Sequence, residues 1–478
     1  MNLRLLLTLL VVAISPAVRA DDRPNIILIL TDDQGYADVG FNDSPDIITP
    51  ELDKLAHDGV IFTSGYVVHP FCGPSRMGML SGRYPHEFGG PYNLPPNRYG
   101  PNDWGIPVSE KLMSSTLQDA GYYTGLIGKW HLGSTAPYHP NKRGFDDFYG
   151  FLGGGKEYFP DRFHAQYDLQ IANGNNNPWD YLHPLEHNGQ EVRETEYVTD
   201  GLSREACRFI REAGDKDQPF FLFVSYNAPH TPLQAKEEDM AMFPDITDEQ
   251  RKIYAGMVYA VDRGVGEIVD TLKDQGEFEN TLIVFLSDNG GRTDKGGNNA
   301  PLRAGKGSTF EGGFRVPMFM HWPKGIEGGR TYRHPVTALD FYPTFAGLAE
   351  AEIPSDKELD GLDIMASVQD GSSPSDTRII YTVNHKAGYS DVGARMGDFK
   401  VVRFNHRPWL LYNVAEDPGE NNNLRQRYPE KIKEIVGEMR ELAKQHTEPG
   451  WFHAPEARER WIKEDMPKYE KTFSTDLD

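Results

Sequence analysis

Cysteine is almost missing from this chain: Cys72 and Cys207 are the only two in 478 residues. That excludes a disulfide framework and leaves at most one bridge or two free thiols. Long apolar runs are missing as well. After the first twenty residues, nothing approaches the ~20 apolar residues of a membrane helix. Positive charge is short, with 49 Lys and Arg against 71 Asp and Glu and a net charge of −22. Such a surface argues against nucleic acid as a partner, because phosphate binding needs clustered Lys and Arg. Any anionic substrate then needs a local positive site. Internal repeats and low-complexity segments are absent too.

What is present begins with an export leader. "MNLR" supplies positive charge, Leu5 to Ile14 is apolar, and "AVRA" ends in a small residue. This pattern predicts a signal peptide over residues 1–20, cut after Ala20. Its apolar run is too short to span a bilayer. No cysteine follows the cut, so no lipid anchor forms there. The leader carries Arg4 and Arg19 and no acid, so the remainder carries −24. The expectation is a soluble, exported protein, periplasmic or secreted, of bacterial type. The length that remains suits two domains.

Four apolar runs each end in chemistry. "NIILIL" leads into "TDDQG", "TGLIG" into "KWHLG", "PFFLFVSY" into "NAPHTP", and "TLIVFLSD" into "NGG". Each run reads as a strand buried on both faces. Helical patterns such as "ELDKLAHDGV" and "EYVTDGLSREACRFIREAG" separate them. The alternation predicts a mainly parallel sheet covered by helices. Sites in such sheets form beyond the carboxyl ends of the strands.

Asp32 and Asp33 are adjacent, as are Asp288 and Asn289. Alone, "TDDQG" reads as an acidic turn and "SDNGG" as a common Asn-Gly turn. Together, each after a buried strand, they supply only oxygen ligands, which suits Ca²⁺ or Mg²⁺ rather than zinc. Lys129, His131, His230, Lys306 and Arg76 would act as cationic donors for a tetrahedral oxyanion. Singly, each is as easily a solvated cation or a hydrogen-bonded histidine. Cys72 precedes Pro74, Ser75 and Arg76. Pro74 suits a helix's first turn, so Cys72 is expected at a helix N-terminus, where amides and dipole favour negative charge. A position near a cation suits a nucleophile. The bland alternatives are a Cys72–Cys207 disulfide or an inert buried thiol.

"CGPSRMGMLSGRYPH" resembles the signature of the type I sulfatases, Cys-x-Pro-Ser-Arg followed by a Thr/Ser-Gly-Arg segment. "NIILILTDDQGYADVG", "GLIGKWHLG", "NAPHTP", "LSDNGG" and "GKGSTFEGGFRVP" resemble that family's other blocks, in its order. The likeness spans nearly all the chain after the leader and is of the arylsulfatase A and N-acetylgalactosamine-6-sulfatase kind. It implies an α/β, alkaline-phosphatase-like sheet sandwiched by helices. It implies that a formylglycine-generating enzyme converts Cys72 to formylglycine, an aldehyde, so that Cys72 escapes disulfide pairing. It implies one Ca²⁺ per chain on Asp32, Asp33, Asp288, Asn289 and residue 72. The aldehyde's hydrate would attack the sulfur of a sulfate ester. Lys129, Lys306 and Arg76 would neutralise the sulfuryl oxygens, and His230 would lie near the leaving oxygen. His131 would take the proton that allows sulfate to leave. One contact of many relatives has no counterpart: a polar side chain after "GFDDFYGF". Here that loop reads "LGGGKEYF", with no serine.

Residues 150–199 read as a long irregular segment rich in aromatics, Asn and His. With the "NLPPNRYGPNDWG" loop, it is expected to shape a carbohydrate subsite through Tyr158, Phe159 and Trp179. The pattern divides the mature chain at 21–364 and 365–478. The second part reads as a smaller α+β domain. It combines short strands with an amphipathic helix bearing Ile432, Ile435, Val436 and Met439 on one face, followed by a charged tail. The expected partner is a sulfated mono- or oligosaccharide, and the net charge favours exo-action over travel along a polymer. A phosphate or phosphonate monoester hydrolase and an inactive glycan-binding protein are the alternatives. The sugar, the sulfated position and the oligomeric state are not legible.

Overall fold

The strand Asn25–Thr31 is buried along its whole length. Successive side chains point to opposite faces. Ile26, Leu28 and Leu30 enter one core, and Ile27 and Ile29 enter another. Two buried faces explain an apolar run without alternation. Parallel neighbours flank it, Phe220–Ser225 on one side and Thr281–Ser287 on the other. Tyr123–Lys129 and Asp147–Phe151 extend the sheet in the same direction. Met318–His321 and the hairpin Leu185–His187/Gln190–Val192 join it antiparallel.

The computed structural model describes residues 22–95, 103–386, 389–404, 407–464 and 472–474. The expected leader over 1–20 lies outside the described residues.

Helices cover both faces of the ten-stranded sheet. Val198–Gly214 and Glu249–Asp274 press Leu202, Phe209, Val261 and Val265 onto one face. Cys72–Ser81, Met113–Asp119 and Phe341–Leu348 press Met77, Leu80, Leu117 and Phe345 onto the other. Each such buried side chain contributes roughly 1.5–3 kcal/mol. This is the expected alkaline-phosphatase-like α/β architecture. Among the described residues no helix is long and apolar enough to cross a membrane.

The segment 150–199 is more regular than its composition suggests. It contains the helix Pro160–Ala172 as well as the edge hairpin. The helix buries only Pro160 and Phe163, so its apolar periodicity is weak and its Asn- and aromatic-rich flanks mask it.

A second sheet follows, antiparallel, of Ile379–His385, Ser390–Met396, Phe399–Arg403 and Leu410–Asn413. The helix Pro429–Leu442 packs on it through Ile432, Ile435, Val436 and Met439, the face its periodicity marks. Buried ions tie this sheet to the short helix Glu311–Phe314, which precedes the strand Met318–His321. Lys400 Nζ lies 2.9 Å from Glu311 and 3.0 Å from Glu420, all fully buried. Glu311 also accepts from Tyr66 Oη at 2.6 Å and pairs with Arg315 at 3.1 Å. Part of the charged tail is anchored: Trp451 Nε1 donates to the Tyr92 carbonyl and Trp461 Nε1 to Glu448.

Candidate active site

Parallel register brings the carboxyl ends of four strands to one edge. Asp32 and Asp33, His131, His230, Asp288 and Asn289 follow those ends. Asp33 and His131 take left-handed backbone, φ 66° and 63°. Asp and His tolerate that region better than most residues, and such strain gathers at functional sites.

Cys72 opens the helix Cys72–Ser81, whose residues are all buried. The unpaired amides of a helix's first turn favour negative charge there. Lys306 Nζ lies 3.1 Å from Cys72 Sγ, and Sγ lies 3.5 Å from Asp32 Oδ1. Burial, and then Asp32, push the thiol up to about 12, so it stays protonated and is a poor nucleophile as it stands. Both cysteines are free, which overturns the Cys72–Cys207 bridge. Cys207 is buried in the helix Val198–Gly214 on the opposite face of the sheet.

The cations divide into two groups. Arg76 and Lys129 are buried among the carboxylates. Arg76 Nε donates to Asp288 at 2.8 Å and its Nη1 to Ser225 Oγ at 2.6 Å, while Lys129 pairs with Asp32. Lys306 instead lines the open cleft with Cys72, His131 and His230, and pairs with Asp33. Burial raises Asp33, but Lys306 and His230 outweigh it and hold that carboxyl well below its usual range. Burial and Asp32 raise Asp288 to about 6. Burial, with Lys129, keeps His131 neutral. Burial, only partly offset by Asp33, lowers His230 to about 3. Its Nδ1 donates to the Thr231 carbonyl at 2.7 Å, and its Nε2 lies 3.7 Å from Asp33.

The donor set fits a hard divalent cation. Asp33 Oδ2 and Asn289 Oδ1 are buried without a hydrogen-bond partner among the described residues, a costly state unless a cation satisfies them. Ligand atoms of Asp32, Asp33, Cys72 and His230 lie within 4.8 Å of one another. Three carboxylates balance Arg76, Lys129 and Lys306, so a dication would turn a neutral cluster positive, as an anionic substrate requires.

The cleft beside Cys72 has a volume of about 1070 Å³. Its wall includes Trp179, half exposed and stacked on Tyr181 at 4.5 Å. Tyr158 is not available to a sugar. It is fully buried and donates to the His230 carbonyl at 2.7 Å, so its role is to hold the His230 loop. Phe159 packs against the core beneath. Part of the 93–105 loop lies outside the described residues, but Asn93 is placed: it lines the cleft and accepts from Gly73 N at 2.8 Å.

Some residues have no signal in the motifs. Lys156 is fully buried in the loop that lacks a serine and donates to the carbonyls of Tyr181 and His183. It ties the cleft wall to the "GGGK" run. A Cβ on Gly154 would sit 2.8 Å from His131 Nε2, and one on Gly155 2.4 Å from the Tyr181 ring. Three successive glycines are the signal of that close approach.

Fold and site together define a hydrolase class: acidic residues beyond parallel strands, a residue at a helix N-terminus, and cations converging on one pocket. The chain belongs to the sulfatase family, whose profile matches residues 24–351, and is a sulfuric ester hydrolase. A second profile, N-sulphoglucosamine sulphohydrolase, C-terminal, matches residues 305–448. Mouse N-acetylgalactosamine-6-sulfatase is 34% identical, covering 85% of this chain and 77% of its own. The crystal structure of Ps i-CgsB in complex with k-i-k-neocarrahexaose is 51% identical, with TM-score 0.93, covering 95% of this chain and all of the other. A phosphonate monoester hydrolase of Agrobacterium radiobacter shares the fold at 22% identity and TM-score 0.59, covering 88% and 95%.

Proposed function

We propose that this chain removes sulfate from a sulfated oligosaccharide, with residue 72 matured to formylglycine and Ca²⁺ held by Asp32, Asp33, Asp288 and Asn289. The observation that carries this reading is Cys72 at a helix start, 3.1 Å from Lys306 Nζ, at a large open cleft. The substrate class draws support from the relative crystallised with k-i-k-neocarrahexaose. Exo-action is its finer form, motivated by the acidic surface; release of internal sulfate from long polymer would overturn it.

When present, formylglycine supplies an oxygen nucleophile in place of the thiol, and Ca²⁺ supplies positive charge. The chain's own residues do the rest. Lys306 Nζ sits beside residue 72 and is placed to hold a sulfuryl oxygen. Arg76 and Lys129 fix Asp288 and Asp32 from behind. His131, kept neutral, is a proton acceptor whose Nδ1 has no hydrogen-bond partner among the described residues. His230, with its Nδ1 committed to a carbonyl, turns Nε2 towards Asp33 and the cleft, where the family resemblance puts the leaving oxygen.

The test is the mass of the peptide containing residue 72, from protein made with a formylglycine-generating enzyme. An aldehyde supports the reading, and an unmodified thiol overturns it. Aryl phosphate turned over faster than aryl sulfate would favour the phosphoester alternative. No turnover by the aldehyde form would favour a glycan-binding protein. We also propose export, division into units near residue 365, and a mature chain starting at Asp21. N-terminal sequencing of protein from the periplasm or medium checks the first and last of these.

A further inference from the structure

A second cavity, of about 460 Å³, adjoins the catalytic cleft. Asn93 and His453 line both. Phe71 lines the second, while the next residue, Cys72, lines the first. Two shared walls and a neighbouring pair of residues in the chain set the two spaces side by side. The second cavity's floor is aromatic: Phe71, buried Tyr92, and the buried rings of His69 and His385. Its rim carries two cations, Lys386 and Arg460, against one acid, Glu456. Lys386 Nζ lies over the Phe71 ring at 5.8 Å and donates to the Gly307 carbonyl at 3.3 Å, leaving its charge without a carboxylate partner among the described residues. Arg460 stands exposed on the helix Pro455–Glu464 and makes no ion pair among the described residues. Cations left uncompensated on so acidic a protein mark a place for an anion.

We propose that this cavity is a second sugar subsite, which takes a neighbouring sulfated ring of the oligosaccharide whose reacting sulfate lies at residue 72. The inference rests on the sulfatase reading above and deepens it. Its size falls in the range of small-molecule sites, and aromatic rings set beside convergent polar groups are what such sites use. The apolar face of a sugar lies on Phe71, which is only partly buried, with Tyr92 supporting the wall behind it, and the second sulfate meets Arg460 and Lys386. The subsite is assembled from both parts of the chain: Phe71 and Tyr92 come from the catalytic half, Lys386 from the end of an antiparallel strand, Arg460 from the tail helix. It therefore reads sulfation one unit away from the bond that breaks.

The experiment compares wild type with Arg460→Glu, and with Lys386→Gln as a second variant. Each is assayed in its aldehyde form on a monosulfated aryl ester, on an oligosaccharide with one sulfate, and on one with sulfates on adjacent sugars. The expected result is a KM raised at least fivefold for the multiply sulfated oligosaccharide, with kcat and the aryl ester rate within twofold of wild type. An equal KM for both oligosaccharides in wild type, or an unchanged KM in both variants, would overturn the subsite. If wild type turned over no sulfate ester at all, the sulfatase reading itself would fail, which is a distinguishable outcome.

Discussion

Two regions of this molecule bury charge, and they do so to opposite ends. At the seam between the sheets, Glu311 and Glu420 share Lys400, while Arg315 and Tyr66 take the remaining side of Glu311. Four histidines, His69, His86, His385 and His446, pack ring against ring where the His69 and His86 segments meet the strand Ile379–His385. At the catalytic edge an equal number of acids and cations still leaves Asp33 Oδ2 and Asn289 Oδ1 buried and without a hydrogen bond among the described residues. In the first cluster Glu311 Oε1, Glu420 Oε1 and Lys400 Nζ also lack an aligned hydrogen bond among the described residues, but each faces an opposite charge within 3.0 Å. The second is built short of a partner. A seam variant should therefore cost stability and spare chemistry, and a site variant should do the reverse.

The sharpest test is Cys72→Ala. Sulfate ester turnover should fall at least ~10³-fold, as for loss of a nucleophile, while the melting temperature stays within a few degrees. Retained turnover would break the comparison at its catalytic end. Lys400→Met tests the other end. It leaves two carboxylates facing each other and should cost about 3–5 kcal/mol, read by denaturant unfolding, with kcat of the folded fraction within twofold. Calcium then separates the two regions directly. At 100 times its dissociation constant it should stabilise the protein by about 2.7 kcal/mol, in Lys400→Met as in wild type but not in Asp33→Asn. A calcium response kept by Asp33→Asn would count against the assigned ligands.

The smallest effect is one of pH. Burial lowers His86 to about 4, so folding keeps it neutral while the unfolded chain takes a proton below about 6.5. Its stabilising contribution is complete above that value and is lost as pH falls towards 4. Between pH 7 and 5.5 it should account for about 1 kcal/mol. His86→Leu should flatten the dependence of melting temperature on pH by that amount. An identical slope in the variant would remove His86 from the account.

Much of this was legible in the chain because its strands are buried on both faces. A run such as "NIILIL" has few other readings, and the residues after it inherit a position. The helix Pro429–Leu442 was legible for the complementary reason, an apolar stripe with polar flanks. Tyr158 was misread because an aromatic in a loop-like segment gives no sign of which way it faces; here it points inward to the His230 carbonyl. Lys156 was missed because a lysine satisfied by carbonyls rather than carboxylates leaves no charge pattern. The helix Pro160–Ala172 was missed because it buries too little to show a period.

The sequence alone determined the doubly buried parallel strands, the chemistry placed at their ends, and the likeness of the Cys72 motif to one family. Those are local properties of composition and order. Tertiary structure decided what depends on distance across the chain. It separated Lys306 on the cleft from Arg76 and Lys129 behind it, kept both thiols free, and closed the ionic seam. It also set Phe71 and Cys72 on two adjoining cavities. Packing, which brings together residues hundreds of positions apart, has no trace in the spacing of any one motif.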